Sequence, residues 1–172
     1  TQGVSSAASD VYKRQVQTMA KIATAADIGF QSTDRRPSAL ARFKATRSVA
    51  HAGVELAKIS EAARIIVATQ HGNAARLVAG YRPTTPVTAV SDRIRAARRS
   101  QLLPGIESLL VKEYERGSQT MQAAVETLVK QGTILPGQRV VAISGSPKAI
   151  SGSTSTVRLY KVEKDGSIRG SE

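Results

Sequence analysis

What most constrains this chain is an alternation. Short apolar runs rich in β-branched residues, Arg64–Thr69 (RIIVAT), Pro86–Val90 (PVTAV), Ile106–Val111 (IESLLV) and Gln138–Ser144 (QRVVAIS), take turns with stretches whose apolar residues recur at helical spacing. Runs this short, bounded by turn residues, read as strands buried on both faces. Strands that alternate with helices are joined by crossovers, so the pattern predicts a mainly parallel sheet covered on both sides. A fifth run, Thr156–Val162 (TVRLYKV), alternates more, and only a Gly/Ser-rich loop parts it from the fourth. Without a crossover helix it returns antiparallel, and its half-polar pattern suits an edge.

The intervening helices follow from the spacing of apolar residues. Val16–Asp27 carries Met19, Ile22, Ala23 and Ala26 on one face. Ser48–Ile59 carries Val49, Ala52, Gly53 and Leu56, and the helix from Ser118 carries Met121, Ala124, Val125 and Leu128. A short helix over Gly72–Gly80 stops before Pro83, and Gly132 with Pro136 ends the helix from Ser118. Ser91 is placed to cap a basic helix over Asp92–Ser100. Residues 28–38 (IGFQSTDRRPS) read as a linker and residues 164–172 as a polar tail, which leaves 39–163 as the α/β unit. At the front, Ser5–Gln15 (SSAASDVYKRQ) resembles an in-frame translation of a sequencing adapter. The expectation is therefore that residues 1–15 are foreign and that native sequence starts near Val16, inside a longer protein.

Composition narrows the chemistry. The chain has no cysteine, which removes disulfides, thiolate metal sites and cysteine nucleophiles. Aromatics are 3%, so the core must be aliphatic. No apolar run approaches the roughly 20 residues that span a bilayer. The net charge is +12, and residues 16–100 hold fourteen Lys and Arg against five Asp and Glu. Such a balance favours anionic partners, phosphorylated small molecules or nucleic acid, and equally describes a solvated basic surface. Arg93, Arg95, Arg98 and Arg99 crowd one short helix, yet the scarcity of aromatics to stack bases argues against single-stranded nucleic acid. The segment SGSPK lacks the G-x-S-x-G pattern of a nucleophile elbow, and neither a Walker loop nor a dinucleotide fingerprint occurs. His51 lies beside an apolar stripe, and His71 has no cysteine or acidic cluster nearby in sequence to complete a metal site.

One anion site can be argued from local chemistry. The strand ending at Thr69 runs through Gln70, His71 and Gly72 into a helix that opens at Asn73. Free N–H groups and the dipole at such a helix start favour phosphate, and loops at the carboxyl ends of strands are the usual ligand positions in open α/β sheets. The second loop, with Gly145, Ser146, Lys148, Ser151, Gly152, Ser153 and Thr154, offers amides, hydroxyls and one cation to the same ligand. Both loops also serve as turns that the fold needs in any case, and the sequence leaves the two roles open.

Five segments in order resemble one family. ATRSVAHAGVELAKI (Ala45–Ile59), RIIVATQHGNAARLVAGYRPTTPVTAV (Arg64–Val90), SDRIRAARRSQLLPGIESLLV (Ser91–Val111) and GTILPGQRVVAISGSPKAISGSTSTVRLYKV (Gly132–Val162) resemble the C-terminal domain of pyruvate kinases. VQTMAKIATAAD (Val16–Asp27) is similar to the last helix of that family's catalytic barrel. The resemblance implies a three-layer α/β/α sandwich on a five-stranded mixed sheet with the last strand antiparallel. It implies a cytoplasmic parent enzyme that transfers phosphate from phosphoenolpyruvate to ADP with Mg2+ and K+, and a homotetramer in which this domain contacts its own barrel and sister subunits. The catalytic lysine, acidic metal ligands and substrate arginines of the family would all lie upstream, so no catalytic or metal residue is assigned in this chain, and the chain alone is expected to be inactive. Family members regulated by a sugar bisphosphate carry a first loop rich in Ser and Thr. Here Thr69 and Gly72 are kept, but His71 and Ala74 stand where hydroxyls are expected. The resemblance therefore does not carry fructose 1,6-bisphosphate over to this chain, and a different phosphorylated effector, or none, fits as well.

Overall fold

The computed structural model describes residues 2–29, 44–113, 117–145 and 154–170, and the chain divides into two units, Thr1–Ser32 and Thr33–Glu172. The first unit is one helix, α1 (Gln2–Gly29). It begins at Gln2 rather than at Val16 because no Gly or Pro occurs between Val4 and Ile28 and the segment is rich in good helix formers. For the same reason it runs through residues 28 and 29, the start of the expected linker, whose remainder lies outside the described residues. The stripe residues Met19, Ile22, Ala23 and Ala26 are all exposed.

The second unit runs α2 (Lys44–Ile59), β1 (Arg64–Ala68), α3 (Asn73–Gly80), β2 (Val87–Ser91), α4 (Ile94–Ser100), β3 (Ile106–Leu110), α5 (Gly117–Lys130), β4 (Arg139–Ser144), β5 (Thr156–Val162) and β6 (Ile168–Gly170). The sheet order is β3-β2-β1-β4-β5-β6. The first four strands in that row are parallel. β5 is antiparallel to β4, as the missing crossover helix requires.

The sheet has six strands, not five. The sixth forms in the expected polar tail, because Glu163–Ser167 (EKDGS) folds into a hairpin. The Gly166 N–H reaches the Glu163 carbonyl at 3.0 Å, Gly166 takes φ +82°, and the Glu163 N–H bonds the Ser167 carbonyl at 2.9 Å. This is a tight turn followed by a left-handed glycine, a standard hairpin device. The Asp165 carboxylate accepts the Ser167 hydroxyl at 2.6 Å and the Ser167 N–H at 2.9 Å, which holds its carboxyl below the ordinary 3.8. β5 is thus no edge over Tyr160–Val162, where β6 pairs with it.

Period-two alternation splits the strands between two cores. Ile65, Val67, Val87, Ala89, Val141 and Ile143 face one side, packed with Ala50 and Ala57 of α2 and Ala75 and Val78 of α3. Ile66, Val90, Val140, Ala142 and Val162 face the other, against Met121, Ala124, Val125 and Leu128 of α5. Helices therefore cover both faces. On α2 the buried line is Thr46, Ala50, Gly53 and Ala57, while Ala52 is exposed. The expected stripe is rotated because small residues, rather than the largest ones, meet the sheet. A Cβ on Gly53 would lie 2.4 Å from Ile143 Cδ1, so the helix sits as close to β4 as a glycine permits. Ser91 is not a helix cap. It closes β2, buried, and its hydroxyl oxygen accepts the Arg93 N–H at 3.1 Å, while α4 starts three residues later with no side-chain cap.

Candidate functional site

From β1 the chain moves outward through α3 to β2 and through α4 to β3, then α5 carries it back to lay β4 on the other flank of β1. The winding direction reverses between β1 and β4. Open α/β sheets bind ligands at such a reversal, beyond the carboxyl ends of the strands. The register pairs Val67 with Ile143, so Thr69 and Gly145 follow neighbouring strand ends at one edge of the sheet. Both loops singled out in the sequence start there.

The first loop is built by its own residues. The Thr69 N–H extends the sheet to the Val90 carbonyl at 2.9 Å, and the Thr69 hydroxyl oxygen accepts the Gly72 N–H at 2.9 Å. Gly72 stands at φ +82°, a left-handed turn that glycine adopts without strain, and α3 begins with no side-chain cap. Gln70 and His71 are exposed, Thr69 and Asn73 half-buried, and Gly72 buried. Ala74 is 4% exposed and belongs to the first core, so apolar packing takes the place of the hydroxyl that the family resemblance leads one to expect. Of the second loop, Gly145 and Thr154 are described, and Ser146, Lys148, Ser151, Gly152 and Ser153 lie outside the described residues. Thr154 is buried; its N–H points to the Thr46 hydroxyl oxygen at 3.4 Å, which ties the end of the loop to the first turn of α2.

Beside Gly145 opens a cleft of about 230 Å³ between α5 and the β4–β5 pair. Ser118 and Met121 of α5 form one wall, and Ser144, Thr156, Arg158 and Tyr160 line the rest. The Arg158 guanidinium is exposed and donates to the Tyr160 hydroxyl at 3.5 Å. The sequence reading overlooked this wall. Its signal was the alternation of β5, which puts Thr156, Arg158 and Tyr160 on one face. The other motifs stay apart from it. His51 is exposed, with its ring 5.2 Å from that of Tyr81, and Arg93, Arg95, Arg98 and Arg99 are all exposed. Among the described residues no group of three or more His, Asp or Glu is placed to hold a metal. Among the same residues no helix is long and apolar enough to cross a membrane.

The family described as the pyruvate kinase α/β domain matches residues 47–160, from the first turns of α2 to Tyr160 in β5. The chain belongs to the pyruvate kinase family. Pyruvate kinase 2 of Synechocystis is 31% identical over 86% of this chain, a pyruvate kinase of Clostridium acetobutylicum 32% identical over 60%, and one of Eimeria tenella 28% identical over 67%. The aligned parts amount to 25%, 22% and 22% of those relatives, so the chain spans about a quarter of their length. What it matches is the pyruvate kinase C-terminal domain. The β6 hairpin lies beyond the residues that the family match covers.

Proposed function

We propose that this chain is the regulatory and assembly domain of a cytoplasmic enzyme that passes phosphate from phosphoenolpyruvate to ADP. In this reading the barrel that carries the chemistry, with its Mg2+ and K+, is supplied by the rest of the parent protein. The domain described above contributes contacts to that barrel and to sister subunits, and a site for a phosphorylated effector. The supporting observation is the adjacency of β1 and β4, which sets an uncapped helix start, Gly145 at the end of β4 and the Arg158 cleft along one edge. Backbone N–H groups at Asn73 and Ala74 would receive one phosphoryl group, and the Arg158 side would receive charge from the remainder of the ligand. A stand-alone module of the same fold that binds a phosphorylated ligand would use the same edge.

A backbone NMR titration with inorganic phosphate and then with fructose 1,6-bisphosphate tests the site. Saturable shifts are expected at Gly72, Asn73 and Gly145, weakened several-fold by Arg158→Gln. The bisphosphate is expected to gain little over phosphate, because His71 and Ala74 offer no hydroxyl. Amides that stay unmoved by either anion would remove the effector site from the proposal.

A further inference from the structure

At the opposite edge of the sheet, away from both loops, three cations stand in one row. Arg139 opens β4, Lys161 lies near the end of β5, and Arg169 is the middle residue of β6. The register pairs Arg139 with Lys161 and Lys161 with Arg169. Directly paired residues share a face, and adjacent strands are roughly 4.8 Å apart, so the row spans about 10 Å. Like charges directly opposite one another are unfavourable. Here two such pairs are stacked side by side, and all three residues are exposed.

The row faces an open cleft of about 610 Å³. Glu61 and Glu163 also line it, yet among the described residues neither forms an ion pair with any of the three cations. Arg139 spends one N–H on the Ser60 carbonyl at 3.1 Å, which fixes its guanidinium at the end of α2. Lys161 and Arg169 have no hydrogen-bond partner among the described residues. Glu61 holds φ 50°, the left-handed position after a helix where glycine is the usual choice. The neighbourhood thus keeps a strained backbone, two carboxylates and three uncompensated cations around one hollow.

We propose that this cleft binds a compact polyanion carrying two or more phosphoryl groups. The long side chains of Arg139, Lys161 and Arg169 can converge on one compact ligand, with Arg139 and Arg169 each gripping a phosphoryl group in a bidentate fork and Lys161 between them. A long polyanion such as nucleic acid would have to run past the carboxylates of Glu61 and Glu163, whereas a compact one stays within the row. Arg169 and Lys161 lie outside the residues that the family match covers, so this site is added by the C-terminal hairpin.

Calorimetric titration of the whole chain with tripolyphosphate at low salt, paired with thermal melts, tests the proposal. Saturable binding is expected, together with a rise in Tm on adding the ligand. Lys161→Gln with Arg169→Gln should weaken binding at least tenfold and abolish that rise, while circular dichroism stays unchanged because both residues are exposed. Arg158→Gln weakens only phosphate binding at the other edge, so the binding component that the double variant loses should persist in it, which separates the site from the effector site proposed above. Three outcomes would overturn the idea: no saturable heat, the same affinity in the double variant, or tighter binding of a DNA oligonucleotide than of tripolyphosphate.

Discussion

Arg64 is the first residue of β1, two before Ile66, and so it faces the α5 side of the sheet. Its guanidinium Nη1 donates to the Thr88 hydroxyl at 2.7 Å and to the Glu107 carboxylate at 2.5 Å, a polar rung across β1, β2 and β3. The arginine side chain is 7% exposed and the glutamate 66%, and Arg64 Nε is buried with no hydrogen-bond partner among the described residues. A surface pair contributes about 0–1 kcal/mol, but removing one partner of a buried charge leaves that charge uncompensated and costs about 3–5 kcal/mol. This pair lies between those limits, so Glu107→Ala should cost about 2 kcal/mol in urea unfolding. Adding Arg64→Met to that variant should recover part of the loss, because the harm comes from the stranded charge. A double variant less stable than the single one would mean that the arginine acts through packing instead. None of this rung was legible beforehand. Its partners are 43 positions apart, and an arginine at the front of an apolar run looks like any solvated strand end. Thr69 and Gly72 were legible because their geometry is local, a hydroxyl and a glycine within one turn.

Among the elements, α2 and β4 are held together by an absent side chain. A methyl group on Gly53 would overlap Cδ1 and Cγ1 of Ile143, a completely buried side chain that must then shift within the packed core. Overpacking of this kind costs about 1–3 kcal/mol, while Gly→Ala in a helix returns up to about 1 kcal/mol. The clash should win, so Gly53→Ala is expected to lower stability by about 1 kcal/mol, and Ile143→Val in the same chain should restore some of it. Chemical denaturation of the two variants measures both terms. The central strands were readable as short continuous apolar runs, buried on both faces, and α5 by its helical period, since all four apolar residues named on it are buried. α2 misled because Ala and Gly carry little hydrophobic signal, so the true line of small residues looked no more apolar than its neighbour. β6 was missed because three residues, Ile168–Gly170, are too few to show alternation, although the Asp165–Gly166 turn before them was a visible hairpin cue.

At the scale of the molecule, the parallel sheet with helices on both sides follows from the alternation of strand and helix. The neighbour relations do not. Nothing in the order of segments states that β4 lies against β1 rather than beyond β3, and the candidate site depends on that placement. In the reading proposed above, the effector edge lies in this chain and the catalytic residues lie in the part of the barrel outside it. A coupled assay with phosphoenolpyruvate, ADP, Mg2+ and K+ is therefore expected to detect no pyruvate from it, and measurable turnover would show that the chemistry does not reside in the barrel alone.

The position of β1 in the middle of the sheet also sets an order of events in time. One flank of β1 is closed by β2, the next strand to be made, but the other waits for β4, two strands and three helices later. Pairings of such long sequence separation are slow, because the loop must be closed before any contact repays it. A nascent chain therefore keeps one side of its central strand bare until β4 has been made. The edge where Thr69 and Gly145 meet comes into being only when that last gap closes. An anion bound at the proposed site would recognise only a domain in which β4 has paired with β1, so its binding energy would act as a latch on that long-range pairing.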